Sequence, residues 1–360
     1  MVGRIGGEPL LACDLEADSL HHYQEKVCLI QLSIPRESFL VDPLVCPDLS
    51  ALAPVMADPS VRKLFHGADY DMRSLHRDFG IEVHNLFDTM IACQFLGEKE
   101  VGLAAVLKKR FGVELDKKYQ KADWSRRPLS AEMIAYAIED TRLLIDLYRQ
   151  LEEELRAKGR LSWVEEECLL LSRVRMAPRG AEPLYLRFKG AAVMEPRSLA
   201  VLEELLRFRD EKAVRQDVPA FKIVGNDALR DLAVKLPRKG ADLAGIAGLS
   251  PKLTERYGQE ILDAVARGMA LPPGSLPVYP RSRRPVRDRL QEERLKRLKL
   301  WREERSKGLG IDGGILANNA LLETLAETGP KASEEAVLPA MKKWQREEFG
   351  AELVALLRRI

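Results

Sequence analysis

Asp14 and Glu16 close a short apolar run, Pro9-Leu10-Leu11-Ala12-Cys13, and this juxtaposition limits the fold more than any other feature of the chain. Residues 9–17 read as a buried β-strand. Side chains alternate faces along a strand, so the two carboxylates share one face, their Cα atoms about 7 Å apart at ~3.3 Å of rise per residue. Two like charges on a buried face repel each other and lose hydration. Such a pair is stable where something positive sits between them, and a divalent cation held by oxygen ligands is the usual solution. The rest of the chain is then expected to bring further carboxylates to the same place.

The neighbouring segments supply a sheet. Residues 27–33 and 38–42 read as second and third strands, with Pro35 in the intervening turn. A short helix over 49–56 and a strand over 61–65 follow. Met72, Leu75 and Phe79 fall at helical spacing in a helix beginning near Gly67. Helices are expected over 89–96 and 103–110, and a long one from the N-cap Ser130 to about Leu151. Mixed strands and helices give an α/β domain over residues 1–150. A connector over 151–195 is rich in Glu, Arg and Leu, and beyond Pro196 only amphipathic helices are apparent. Within that part Leu205-Leu206-Arg207-Phe208-Arg209 resembles Leu298-Lys299-Leu300-Trp301-Arg302. Leu229-Arg230-Asp231-Leu232-Ala233 resembles Leu322-Glu323-Thr324-Leu325-Ala326, and Tyr257-Gly258-Gln259-Glu260-Ile261 resembles Phe349-Gly350-Ala351-Glu352-Leu353. Three matching blocks in order predict two copies of one helical domain, over 196–270 and 290–360, joined by a Pro/Arg-rich linker over 271–289.

Bulk properties narrow the class. The five cysteines are odd in number and form no CxxC pair, as expected of reduced thiols in a cytoplasmic protein. No run approaches eighteen apolar residues, which argues against a membrane span. The five histidines show no HExxH or similar spacing, which argues against zinc.

Two places can complete the acidic cluster. On the helix from Ser130, Tyr136 and Asp140 are four apart and share a face, whereas Glu139 lies about 100° round. The other is His66-Gly67-Ala68-Asp69-Tyr70-Asp71, where a strand turns into a helix. Asp69 suits helix capping there, and Asp71 sits inside the helix beside apolar Met72. The residues themselves leave the choice between Asp69 and Asp71 open.

The whole set resembles the DEDD superfamily of 3′–5′ exonucleases, in the variant with tyrosine in its last motif, and within it the RNase D family. The motifs are Asp14-Leu-Glu16, Val27-Cys-Leu-Ile-Gln-Leu32, Leu40-Val-Asp-Pro-Leu44, His66-Gly-Ala-Asp-Tyr-Asp71, Phe87-Asp-Thr89, Asp123-Trp-Ser-Arg-Arg-Pro-Leu-Ser130 and Tyr136-Ala-Ile-Glu-Asp140. They stand in the family's order over most of residues 10–150. The helical repeats resemble the HRDC (helicase and RNase D C-terminal) domain. The resemblance implies an RNase H-like mixed-sheet exonuclease domain followed by two all-α HRDC-like domains, the second divergent. It implies that Asp71, not Asp69, is the catalytic residue. It further implies two divalent cations, Mg²⁺ or Mn²⁺, with Asp14 bridging both. Glu16 and Asp140 would hold the one carrying the attacking water, Asp71 would help hold the other, and Tyr136 would orient the nucleophile. The implied products are nucleoside 5′-monophosphates. The implied partner is RNA with a single-stranded 3′ end, tRNA precursors in particular, acted on by a monomer. In this chain Asp14 lies nearer the start than in the family, so the edge of the first strand is expected to be less well covered.

RNA contacts are expected from Lys117, Lys118, Lys121, Arg126 and Arg127, which flank Tyr119 and Trp124, and from the loop residues His21, His22 and Tyr23. Trp124 is expected to be a packing anchor and His66 to end a strand structurally. Residues 281–307 carry twelve Lys and Arg against five Asp and Glu, either an RNA-contacting arm or a solvated linker and helix face. Two rival readings share these motifs: a DNA 3′–5′ exonuclease on the same scaffold, and a catalytically inactive RNA-binding protein. The presence of all four acids and the tyrosine argues against the second.

Overall fold

The computed structural model describes residues 1–177, 180, 182–280, 289–328 and 337–359. Five strands, β1 (Leu10–Ala17), β2 (Val27–Ile34), β3 (Glu37–Val41), β4 (Arg62–Phe65) and β5 (Leu86–Asp88), form one sheet of order β3-β2-β1-β4-β5. The acidic strand β1 is central, antiparallel to β2 and parallel to β4. This corrects the expectation of a poorly covered first strand: β4 pairs with it over Leu10–Ala12 and β2 over Ala12–Ala17. The short helix α1 (Val2–Ile5) precedes it and buries Ile5 completely.

The helices of the same region are α2 (Ala53–Ala57), α3 (Asp69–Phe79), α4 (Thr89–Leu96), α5 (Leu103–Phe111), α6 (Ala131–Arg142), α7 (Leu144–Ala157) and α8 (Leu161–Leu171). The single long helix expected from Ser130 is two. α6 is capped by Ser130, whose hydroxyl accepts from the Met133 N–H, and it ends at Leu143, whose φ of −100° and ψ of −2° break the helix. α6 packs on β1, β2 and β3, and α7 on β1 and β4. The break therefore lets one apolar sequence cover two parts of the sheet. Strand β5 was not foreseen, since three residues are too few to show a period.

The chain divides into two compact units. One comprises Met1–Ala17, Val27–Met176 and Arg284–Ile360; the other comprises Asp18–Lys26 and Ala177–Arg283. The second unit is built from α9 (Pro196–Gln216), α10 (Asn226–Lys235), α11 (Gly240–Leu243) and α12 (Pro251–Ala270). The helices α13 (Arg289–Leu309), α14 (Gly313–Leu316), α15 (Asn319–Glu327) and α16 (Lys343–Arg358) belong to the first unit. The expected boundary at residue 150 falls inside α7, and the connector's α8 belongs to the first unit's core.

The internal duplication is visible in side-chain detail. Arg209 donates to the Val224 carbonyl and to Asn226 Oδ1 at 3.4 and 2.7 Å; Arg302 makes the same two contacts with Ala317 and Asn319 at 2.9 Å each. Phe208 meets Tyr257 edge to face at 5.9 Å, as Trp301 meets Phe349 at 5.5 Å.

The second copy joins the sheet's own core. Trp344 stacks on Trp163 of α8 at 4.9 Å and meets Phe95 of α4 at 5.4 Å. Glu167 accepts from Trp344 Nε1 and Lys342, and Arg160 donates to the carbonyls of Phe95 and Leu309. Gly97 and Gly310 approach so closely that a Cβ on Gly97 would lie 2.0 Å from the Gly310 carbonyl oxygen. Gly97 is thus a packing requirement, whereas a Cβ on Gly310 would meet nothing within 4 Å. Several cations of the basic segment are spent internally: Arg294 is buried and bonded to the Ala326 carbonyl, and Arg305 pairs with Glu352. Arg281, Arg283, Arg284 and Arg287, with residues 281–288 of the expected linker, lie outside the described residues.

Candidate active site

β1 carries Asp14 and Glu16 on one face, and α6 crosses that face with Asp140. One carboxylate oxygen from each of these three residues lies within 4.8 Å of the others. Asp71, in the first turn of α3, is 7% exposed, and after burial its charge acts on Asp14 more strongly than any other. Asp69 instead faces solvent and pairs with Arg73 across one helical turn at 2.7 Å. Of the two, only Asp71 is buried.

The electrostatics follow from crowding. Burial first, then Asp71, Asp140 and Glu16, pushes the Asp14 carboxyl well above its ordinary range. Burial, with Asp140 and Asp71 next, pushes Glu16 up to about 9. Burial, then Glu139, pushes Asp140 up to about 7, and burial, then Asp88, does the same for Asp71. The charges acting on Asp14 and Glu16 are all carboxylates. A set of hard oxygen donors under that strain suits a hard divalent cation, so the residues present fit the ions that the family pattern implies.

Tyr136 stands one helical turn before Asp140 and hydrogen-bonds its carboxylate. Burial and the surrounding acids raise its phenol further above its ordinary value, so it keeps its proton near neutral pH. Its ring is flanked by Tyr119 at 5.8 Å and Trp124 at 6.0 Å. Trp124 is buried with Cys28, Leu29 and Ala137, a packing anchor.

The loop that delivers Asp71 depends on Asp88, within the motif Phe87-Asp-Thr89, a residue whose part is set by contacts the motif alone does not show. Its fully buried carboxylate caps α4 by accepting from the Met90 and Ile91 N–H groups. It also accepts from the Gly67 and Ala68 N–H groups at 3.0 and 2.7 Å. Gly67 has φ +81° and makes the turn into α3. Thr89 bonds His66 Nδ1 at 2.9 Å and the Phe65 carbonyl, fixing His66 at the strand end as expected. An Asp just ahead of Thr and an apolar run is an N-cap signal that could have been read.

The expected RNA-contacting residues divide. Lys117, Lys118, Lys121 and Arg126 are exposed; Lys118 lies over the Tyr119 ring and Arg126 pairs with Asp123. A cavity of 380 Å³ lined by Lys118, Tyr119, Tyr136 and Asp140 among others opens beside them. Arg127 instead holds the fold: it forks onto Asp42 and donates to the Cys28 and Trp124 carbonyls. His22 and Tyr23 belong to the segment 18–26, which packs within the second unit. His22 pairs with Asp217 at 2.7 Å and the Tyr23 hydroxyl donates to Asp210 at 2.6 Å. These two are thus committed to the helical unit, and their neighbour His21 is carried on the same segment.

The 3′–5′ exonuclease family model matches residues 1–156, and the HRDC domain model matches 198–265 and 291–357. The ribonuclease D of Nitrobacter hamburgensis is 30% identical over 98% of this chain and 91% of its own length. That of Gluconacetobacter diazotrophicus is 32% identical over 99% of this chain and 89% of its own. The chain belongs to the ribonuclease D family. This membership places it among the 3′–5′ exoribonucleases. Ribonuclease D of Escherichia coli, described as an exoribonuclease involved in structured RNA processing, superposes with a TM-score of 0.71. It is 25% identical over 99% of this chain and 95% of that one. The order of a mixed-sheet exonuclease domain and two HRDC domains is therefore the family's own. Among the described residues no helix is long and apolar enough to cross a membrane.

Proposed function

We propose that the chain trims RNA from its 3′ end by hydrolysis assisted by two divalent cations, Mg²⁺ or Mn²⁺, releasing nucleoside 5′-monophosphates. The observation that carries this reading is the meeting of one carboxylate oxygen each from the half-buried Asp14, Glu16 and Asp140 within 4.8 Å where α6 faces β1. Asp14, Glu16, Asp71 and Asp140 would hold the ions. Bound there, divalent cations supply an acidified water and charge neutralisation at the leaving 3′-oxygen. Tyr136 positions the nucleophile through its hydroxyl, with the Tyr119 and Trp124 rings fixing its orientation. Partial burial of the acids strengthens each interaction with the scissile phosphate.

Lys117, Lys118, Lys121 and Arg126 would meet the phosphates of a single-stranded 3′ end, and Tyr119 offers a ring for a base. The role ascribed to the Escherichia coli relative supports structured RNAs as substrates, and tRNA precursors are the ones we propose, with the enzyme working as a cytoplasmic monomer. Labelled single-stranded RNA and DNA, each with Mg²⁺ and with EDTA, test this together. The expected result is stepwise shortening of RNA from the 3′ end, abolished by EDTA. Preference for DNA would favour the proofreading-type alternative, and loss of neither strand would favour a binding protein.

A further inference from the structure

Gln31 lies on β2 directly opposite Asp14 on β1. Residues paired across antiparallel strands project to the same face, their Cβ atoms about 4.5–5.5 Å apart. Gln31 is 0% exposed, and neither its amide oxygen nor its amide nitrogen has a hydrogen-bond partner among the described residues. Buried amides are almost always satisfied, because leaving one bare forfeits its hydration without return. The rest of β2 shows what the fold alone would choose. Its other side chains are apolar apart from Cys28 and Ser33, and the Ser33 hydroxyl is used, meeting Ser38 and Thr141 at 2.7 Å each. Packing gives no reason for an amide at position 31, where a methionine of similar shape would serve.

The register points to one. Across the ladder from Gln31 is the carboxylate most crowded by other acids. Metal-holding carboxylates are generally hydrogen-bonded by a neighbour that fixes which oxygen faces the ion, and removing that neighbour weakens metal binding about 10–100-fold. An amide is well suited, since it donates two hydrogen bonds without adding charge. A lysine there would neutralise the cluster and compete with the cation; another carboxylate would add repulsion.

We infer that Gln31 is a positioning residue of the cation site, its amide N–H donating to the Asp14 carboxylate when that carboxylate turns to hold an ion. This inference rests on the reading of Asp14, Glu16 and Asp140 as metal ligands. In the metal-free chain the amide carries an uncompensated cost, and binding of the cation recovers it. That predicts an unusual pair of effects from a single substitution.

Mn²⁺ binding to the full chain, measured by titration calorimetry, and melting in EDTA provide the test, with Gln31→Met, Gln31→Leu and Asp14→Asn compared. Both Gln31 variants are expected to weaken Mn²⁺ binding about 10–100-fold while melting, metal-free, at or above the parent temperature. A residue serving only the fold would lower the metal-free melting temperature and leave Mn²⁺ affinity alone. Affinity within twofold of the parent in both Gln31 variants overturns the inference. Asp14→Asn separates the two readings: if it too binds Mn²⁺ like the parent, the metal site itself is misassigned, whereas loss in Asp14→Asn alone condemns only the role of Gln31.

Discussion

Replacing Asp88 by alanine should cost most of the stability of the unit that carries the acids. The carboxylate accepts four backbone N–H groups from two separate turns. Losing the cap on α4 costs about 1 kcal/mol. The bonds from Gly67 and Ala68 are charge-assisted, worth about 1.5–3 kcal/mol each, and their donors are left without partners. The sum is about 4–7 kcal/mol, against roughly 5–15 kcal/mol for a whole domain. Asp88→Asn keeps one acceptor oxygen and should lose about half as much. All four tryptophans, Trp124, Trp163, Trp301 and Trp344, lie in the same compact unit as Asp88. Tryptophan fluorescence during urea unfolding therefore reports that unit by itself. Where the alanine variant remains folded, kcat should fall as well, because the turn that Asp88 ties down delivers Asp71. A loss below about 1 kcal/mol for Asp88→Ala would refute the view that this carboxylate organises the α3 and α4 N-termini.

Two further outcomes follow from the same structure. Gly97→Ala places a Cβ 2.0 Å from the Gly310 carbonyl oxygen at φ +85°, whereas Gly310→Ala, at φ +66°, meets nothing within 4 Å. The second should cost only the left-handed backbone strain, about 1–2 kcal/mol, and the first clearly more; equal melting temperatures would show that the second HRDC copy does not pack there. In EDTA, stability should fall as pH rises. The folded-state values of about 9 for Glu16 and about 7 for Asp71 and Asp140 exceed unfolded values near 4. Their contribution is therefore complete below about pH 4 and is lost as pH climbs through 7 to 9. Mg²⁺ should suppress that fall, so its stabilising effect should grow over the same range; a Mg²⁺ effect independent of pH would contradict the crowding of these acids.

Much of this was legible in the sequence because the signals were local and periodic. Strand alternation put Asp14 and Glu16 on one face, helical spacing joined Tyr136 to Asp140, and the repeat blocks marked both HRDC copies. What escaped depended on contacts distant along the chain. Strand β5 is too short to carry a period, yet it ends in the aspartate that shapes the α3 turn. The break at Leu143 has no proline or glycine to announce it. Lys63 is fully buried in β4 with its ammonium on the Asp58 and Val61 carbonyls, at 2.6 Å each, and nothing in its neighbours predicts that. Likewise, Trp344 reads as an ordinary aromatic until Trp163 and Phe95 stand beside it. Arg127 looked like one more cation of a basic loop; only the fold reveals Asp42 within its reach.

If the carboxylates of β1 and those that α3 and α6 bring beside them hold the ions that cut RNA, removing the charge of one should stop the reaction. Release of nucleoside 5′-monophosphate from labelled single-stranded RNA in Mg²⁺, compared between the parent chain and Asp14→Asn, tests it most directly, with circular dichroism confirming that the variant is folded. The expected result is a folded variant whose rate is lower by more than about a hundredfold. A folded Asp14→Asn chain that degrades RNA at close to the parent rate would contradict it.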